Sequence, residues 1–545
     1  MATSNLSTAP HSGLTVKQRL ANYKPTELRA DLSHLTDGDK HALVKLADVS
    51  DLLNAAYFKQ IWSGATKMRQ QLQEDGKKSE SAHDLATLFE LFRGPWDKNF
   101  ENEVFVPGAA PKPKTANVYP SDITREEFDA WVSTLTKDDQ KRAKGFYDTV
   151  HRGADGKLGL TPYADEYKDF LEPASKLMHE AAALVSDASF AEFLRKRGDA
   201  FVTNKYLDSE VSWLTINHTS ALESAIGPYE TYEDELFSAK AFFESMVHVR
   251  DFEGTAMLDK FTSSLEFVEK HLPIPADYRN KELTPPPIVV VNQVYYGGDT
   301  SVPMTAAYNL PNDEEAIERA GSKLTMIKNV QQGKVVSVLN PIAQVVLNSG
   351  DLQYVTFDAF FTHVLMHEVA HSNGPHRVKH TGDTVRSHLQ ELHSAFEEAK
   401  ADITGLFAAR LLVESGVIDN ITLREFYTTY LASAFRSVRF GLTEAHGLGQ
   451  AMQLNYLLEK GGFVYDSATK HFGVDLAKID QAVSDLTHDI MMIQGDGDKK
   501  RAVEFRNKYG VVSPAVREAL DSLKSVPIDI APIWVDINNL RKQFN

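Results

Sequence analysis

The run His367-Glu368-Val369-Ala370-His371 sets two imidazoles four residues apart, with a carboxylate beside the first. On an α-helix, residues i and i+4 share a face one turn apart. Both rings can then reach one tetrahedral divalent ion, and Glu368 stands next to them as a base for a water molecule. A catalytic metal of this kind, here expected to be one zinc per chain, needs a third protein ligand and one position open to water. The chain contains no cysteine, which excludes thiolate ligation and a cysteine nucleophile. The third ligand must therefore be a His, Asp or Glu.

Two downstream candidates compete. His376, in His371-Ser372-Asn373-Gly374-Pro375-His376, resembles the last histidine of the metzincin motif H-E-x-x-H-x-x-G-x-x-H. It falls one position short of that spacing, and Arg377 stands in the expected place. Glu398 lies in the segment SHLQELHSAFEEAKADITGLFAARLLVESG, whose apolar stripe runs through Leu389, Leu392, Phe396, Ala399, Ile403 and Leu406. Ser387 with Gln390 fits a capping box at the start of this helix, and Gly416 marks its end. Glu398 and Asp402 are one turn apart, and Ala395, Ala399 and Ala401 leave room for close packing. Glu398 completes a His₂Glu site, and Asp402 accepts the N–H of a ligating imidazole and so selects its tautomer. Glu397, one residue off, is the nearest alternative ligand. His363, one turn before His367, reads as a neighbour of the site.

The elements that must position these residues are mostly helical. Phe357, Phe360, Phe361, Val364, Leu365 and Val369 recur at three- and four-residue spacing, which predicts an amphipathic helix that Asn373, Gly374 and Pro375 stop. Helical periodicity dominates from Thr15 to about Tyr278, with a capping box at Thr124-Arg125-Glu126-Glu127. Beyond Pro285–Pro287, the Val- and Tyr-rich stretch Ile288–Tyr296 predicts a strand ending at Gly297-Gly298, and Lys334–Leu339 a second β-like run. Helices resume at Thr356 and continue to about Tyr509, and the end of the chain from Val526 reads as extended. The fold class is α+β, mainly α with a smaller β portion. Its expected divisions are a disordered tail at 1–14, a helical region at 15–280, a β-containing segment at 281–345, a helical metal-binding region at 346–510 and an extended tail at 511–545 packed on the body.

The formal net charge of −17 disfavours nucleic acid and anionic membrane surfaces, which require clustered Lys and Arg. The longest apolar runs are far shorter than the roughly 20 residues of a membrane-spanning helix. The first twenty residues carry no apolar core behind a basic start, so the expected location is cytoplasmic. The oligomeric state is left open.

Around these residues the chain resembles the dipeptidyl peptidase III family of zinc exopeptidases. Glu397-Glu398-Ala399-Lys400-Ala401-Asp402 matches that family's E-E-x-x-[AG]-[ED] motif, in which the second glutamate is the metal ligand. The five-residue H-E-x-x-H is similar to short bacterial members rather than to the H-E-x-x-x-H form. Ile226-Gly227-Pro228-Tyr229-Glu230-Thr231-Tyr232 resembles the family's I-G-x-x-E-S-Y stretch, which implies that Tyr232 stabilises the transition state and Glu230 binds the substrate's amino terminus. Asn309-Leu310-Pro311-Asn312 resembles an N-I-P-N element that binds the peptide backbone. Ala445-His446, followed by Leu457-Leu458-Glu459, keeps the spacing around a catalytic histidine. The resemblance implies two lobes around a wide cleft, one helical and zinc-binding, the other β-containing. It also implies release of dipeptides from oligopeptides, with Glu368 as the catalytic base.

Overall fold

The computed structural model describes residues 12–283 and 287–544. Most of the expected tail at 1–14 and two of the three prolines at 285–287 lie outside the described residues. Two compact units make up the chain: the residues up to Arg250, Val289–Val330 and from Asp529 onward form the first, and Asp251–Ile288 with Gln331–Ile528 the second. The expected limits therefore shift. The 15–280 region divides at Arg250, and the 281–345 segment is shared between both units.

The first unit is built on a five-stranded sheet. Its strands are β1 (Leu222–Pro228), β2 (Phe243–Arg250), β3 (Ile288–Gly298), β4 (Ala307–Leu310) and β5 (Lys323–Ile327), in the order β1-β2-β3-β5-β4. The β1–β2, β2–β3 and β4–β5 pairs are antiparallel. Every residue of β1 and β2 is buried, so neither strand shows the apolar–polar alternation of a sheet with one wet face. Two of the charges they carry, Glu223 and Arg250, are paired inside: Glu223 accepts from Arg250 Nη2 at 2.7 Å and from Lys323 Nζ at 3.1 Å. Leu222-Glu223-Ser224-Ala225 accordingly does not look like a strand in sequence, which is why the region before Tyr278 reads as uniformly helical.

Helices α1 (Asp37–Ile61), α2 (Lys168–Ala182) and α3 (Ala188–Thr203) supply the rest of this core, through Leu43, Leu46, Leu53, Leu171, Met178 and Leu194. Thr124 caps its helix through Glu127 N at 3.1 Å as expected, but the Glu127 carboxylate turns to Arg152 instead of closing the capping box. The chain end is not a simple extended tail. Tyr23–Leu28 and Asp529–Trp534 form a parallel pair, and Val535–Phe544 is a helix.

In the second unit, α4 (Phe357–Ala370), α5 (His393–Glu414), α6 (Ala445–Glu459) and α7 (Ile479–Asp496) pack with α5 at the centre, touching the other three. Helix α4 starts at the cap Thr356, whose hydroxyl accepts from Ala359 N at 3.2 Å, and it ends at Ala370. Helix α5 begins at His393, later than Ser387: Thr384 caps a separate short helix, Val385–Leu389, and Gln390 then takes a positive φ of 53°. Lys334–Leu339 is helical, not a strand, and Val335–Leu339 forms a single π turn. Buried Val335, Val338, Leu339, Ile342, Ala343 and Val346 run at three- and four-residue spacing, so helical burial overrides the β-branched composition.

Close packing fixes the end of β1. Arg197 of α3, fully buried, gives Nη1 to the Ile226 carbonyl at 2.8 Å and Nη2 to Glu210 at 2.7 Å. A Cβ on Gly227 would stand 1.9 Å from that Nη1. Gly227→Ala should therefore destabilise the protein by about 1–3 kcal/mol through overpacking. The expected result is a lower urea midpoint in a fluorescence unfolding curve; an unchanged midpoint would show that the guanidinium is free to retreat.

Candidate metal centre and substrate cavity

At the C-terminal end of α4, the rings of His367 and His371 lie with centroids 4.8 Å apart and planes at 89°. Nitrogen and oxygen atoms of His367, Glu368 and His371 come within 4.8 Å of one another. Helix α5 brings Glu398 to the same point, its Oε2 3.3 Å from His367 Nε2 and 4.0 Å from His371 Nε2. Gly405 permits this approach, since a Cβ there would lie 3.2 Å from the His367 amide nitrogen.

Each imidazole is oriented through its other nitrogen. His367 Nδ1 is 2.6 Å from Asp402 Oδ1, and His371 Nδ1 is 2.9 Å from Glu397 Oε1. Beside a carboxylate, Nδ1 carries the proton and donates, which leaves Nε2 as a lone pair. Three acceptor atoms thus face one another, and the buried Glu398 Oε2 receives no hydrogen bond. A cation satisfies all three. Tetrahedral bonds of about 2.0–2.1 Å put ligand atoms roughly 3.3–3.4 Å apart, as His367 Nε2 and Glu398 Oε2 are.

The surrounding carboxylates stay ionised although burial opposes it. Lys400 holds Glu397 well below the usual range, His367 holds Glu398 below it, and His367 brings Asp402 down to about 2. Burial likewise opposes a charge on His367, yet Asp402 and Glu398 together raise its pKa well above the ordinary value. The pocket asks for positive charge.

Sequence reasoning had Asp402 as an imidazole partner and Glu397 as a rival ligand. In the structure Glu397 does for His371 what Asp402 does for His367. Its signal was Lys400 three residues on, whose Nζ lies 2.9 Å from Glu397 Oε1 and donates to the His371 carbonyl at 3.2 Å. The amides behind the two carboxylates were missed: Gln450 and Gln453 donate to Asp402, and Gln494 to Glu397 at 3.1 Å. A glutamine on a helix carries no pattern that would reveal such a role. His363 stands apart from the cluster, with Nε2 2.9 Å from the Asp402 carbonyl. His376 turns its Nε2 to the Ser372 carbonyl at 3.3 Å instead.

His446, in the first turn of α6, places Nε2 3.3 Å from Glu398 Oε2 and Nδ1 2.6 Å from Glu444. The Glu444 carboxylate raises its pKa against partial burial.

The remaining expected residues belong to the first unit, where they share a cavity of about 500 Å³. Tyr232 is 79% exposed beyond β1. Glu230 accepts from Asn312 Nδ2 at 3.3 Å, and Asn312 also holds the Tyr229 carbonyl at 3.0 Å. Asn309, on β4, lines the same space. Glu244 and Asp299 do too, and sequence reasoning did not find them. Glu244 is 3% exposed, and burial drives its pKa well up; burial takes Asp299 to about 6.

This geometry makes metal affinity depend on the outer carboxylates. Asp402→Asn and Glu397→Gln should each weaken metal binding about 10–100-fold, read by competition with a chromophoric chelator. Glu398→Ala should lose the metal, whereas His376→Ala should keep it. The reverse result for the last two would assign the third ligand to His376.

The family model "Peptidase family M49" matches residues 122–374. A curated relative from Arabidopsis thaliana, called Nudix hydrolase 3, is 36% identical over 573 aligned residues, which cover 96% of this chain and 74% of the plant protein. The solved structure of DPP III from Caldithrix abyssi superposes with a TM-score of 0.89 at 36% identity, covering 96% of this chain and all of that one. That of dipeptidyl-peptidase III from Corallococcus sp. strain EGB gives 0.76 at 42% identity, covering 97% and 98%. With a helix-borne His-Glu-His cluster and relatives matched over nearly its whole length, the chain belongs to peptidase family M49 and is a metal-dependent hydrolase of peptide bonds.

Proposed function

We propose that this peptidase releases dipeptides from the free amino end of oligopeptides, using one zinc ion held by His367, His371 and Glu398. The observation that carries this reading is the buried Glu398 oxygen facing two imidazole lone pairs. Two nitrogens and one carboxylate oxygen, with no thiolate in the chain, suit zinc in a catalytic site. The names of the two bacterial relatives support the dipeptidyl specificity.

When bound, zinc supplies Lewis acidity, lowering the pKa of a water towards about 7 and polarising a carbonyl. The chain's own residues do the rest. Glu368 takes the proton of the attacking water and hands it to the leaving amine. Asp402 and Glu397 keep both ligating rings in the tautomer whose Nε2 is free. His446, with Nδ1 engaged by Glu444, has Nε2 to offer as a donor to the developing oxyanion, and the exposed Tyr232 hydroxyl is a second donor. Such donors are typically worth ~3–4 kcal/mol in the transition state.

Glu230 takes the substrate's ammonium, and Asn309 and Asn312 take its backbone, setting the cut two residues in. Asn312 already holds the Glu230 carboxylate. Burial raises the pKa of Glu230, so an arriving cation relieves an electrostatic cost within the binding step. Glu244 and Asp299 line the same cavity, where burial also raises the pKa of both. Among the described residues no helix is long and apolar enough to cross a membrane. A cytoplasmic location is part of the proposal, since a chain without cysteine gains nothing from an oxidising compartment.

Hydrolysis of dipeptidyl naphthylamides should far exceed that of aminoacyl ones; the opposite order would make the chain a broader aminopeptidase. Glu368→Gln should retain one zinc per chain while kcat falls at least about 100-fold. Full activity in that variant would refute the role of the base. Glu230→Gln should raise KM about tenfold for substrates with a free amino end, with a far smaller change in kcat.

A further inference from the structure

The connection between β1 and β2 runs over residues 229–242, although a two-residue hairpin suffices to join an antiparallel pair. The added length presents Glu230 and Tyr232, and it is wrapped around one carboxylate. Asp234 is fully buried. Its Oδ1 accepts from Leu236 N at 3.1 Å and Phe237 N at 3.0 Å. Its Oδ2 accepts from Ala239 N at 2.9 Å, Lys240 N at 3.0 Å and the Tyr119 hydroxyl at 3.0 Å. Four main-chain amides of the loop, which no strand pairing serves, are thus satisfied by a single side chain. Tyr119 ties the carboxylate to the core beneath, where its ring meets Phe128 and Phe237.

The main chain of Asp234 acts on Tyr232 directly. Asp234 N donates to the Thr231 carbonyl at 3.1 Å, which closes a β-turn with Tyr232 and Glu233 at its two central positions. Tyr232 is 79% exposed, and among the described residues its side chain makes no hydrogen bond. Glu233, by contrast, is 3% exposed and pairs with Lys98 at 2.6 Å and Lys112 at 2.9 Å. The exposed ring therefore takes its place from a backbone that the next two residues pin down. Glu230 is anchored separately, since Asn312 donates to its carboxylate and Phe242 N to its carbonyl at 2.9 Å.

We infer that Asp234 is a positioning residue for Tyr232: the buried carboxylate holds the turn that keeps the tyrosine hydroxyl where an oxyanion donor has to stand. The inference rests on the reading of Tyr232 as such a donor. A donor lowers the barrier to the extent that it is fixed before charge develops, and a displacement of about 1 Å can cost about 100-fold in rate. Tyr232, Glu230 and Glu233 line the first-unit cavity and Asp234 does not, so Asp234 acts through the tyrosine.

A double-mutant cycle on the zinc-loaded full chain tests this, with Asp234→Asn, Tyr232→Phe and the pair of substitutions together, each checked by circular dichroism and zinc content. The asparagine keeps the shape of the side chain but turns one acceptor into a donor that faces N–H groups. On a dipeptidyl naphthylamide, Asp234→Asn should lower kcat about 10–100-fold and leave KM nearly unchanged, because the anchors of Glu230 are intact. The double variant should be no slower than Tyr232→Phe alone. Tyr119→Phe, which removes one donor from the carboxylate, should lower kcat less, and again only where the Tyr232 hydroxyl is present; it carries the test should Asp234→Asn fail to fold. Effects that multiply in the double variants, or an unchanged kcat in both Asp234→Asn and Tyr119→Phe, would overturn the inference while leaving Tyr232 its role. An unchanged kcat in Tyr232→Phe, or no cleavage of any peptide by the parent, removes that role and the inference with it.

Discussion

Three atoms able to ligate one ion converge in the second unit: Nε2 of His367, Nε2 of His371 and Oε2 of Glu398. A shared cation, metal ion or proton, is what such a cluster calls for. Asp402 and Glu397 support the convergence by engaging Nδ1 of the two rings. The rest of the unit can be understood as support for that arrangement. Helix α4 gives the one-turn spacing, α5 approaches closely enough at Gly405 to deliver three carboxylates, and glutamines of α6 and α7 hold the outer two. Electrostatics of this kind remains strong because the groups are fixed and largely removed from water.

Buried charge is handled differently in the first unit. Glu223 in β1 meets both Arg250 and Lys323, and Arg197 meets Glu210, so these ionised groups are paired and serve to fix strand ends. Glu244 has no such partner among the described residues and lines the cavity that also holds Glu230 and Asp299. Paired buried charges are structural furniture. Burial raises the pKa of the carboxylates gathered around this space, an electrostatic cost that an arriving cation relieves.

The differences between expectation and structure share one cause. Local propensity loses where tertiary burial sets a different period or satisfies a charge that would otherwise forbid burial. The β-branched Lys334–Leu339 is helical because its apolar residues continue a helical stripe through Val346. β1 and β2 escape a periodicity search because both faces are covered and Glu223 and Arg250 are paired within the sheet. Helix α5 begins at His393 because Gln390 adopts a left-handed φ that no capping rule anticipates.

The sequence by itself brought the candidate ligands and the candidate base together. Spacing of four residues on a striped helix places His367, Glu368 and His371 together whatever the surroundings, and the absence of cysteine limits the third ligand to a histidine or carboxylate. It determined Glu398 and Asp402 as a pair for the same reason, and the mainly helical α+β class. Tertiary structure alone decided that Glu397 serves His371, that Gln450, Gln453 and Gln494 hold the outer carboxylates, and that Glu244 and Asp299 join Glu230. These residues lie far apart in the chain or carry uncharged side chains, so no periodicity links them; only packing brings their atoms within hydrogen-bonding range.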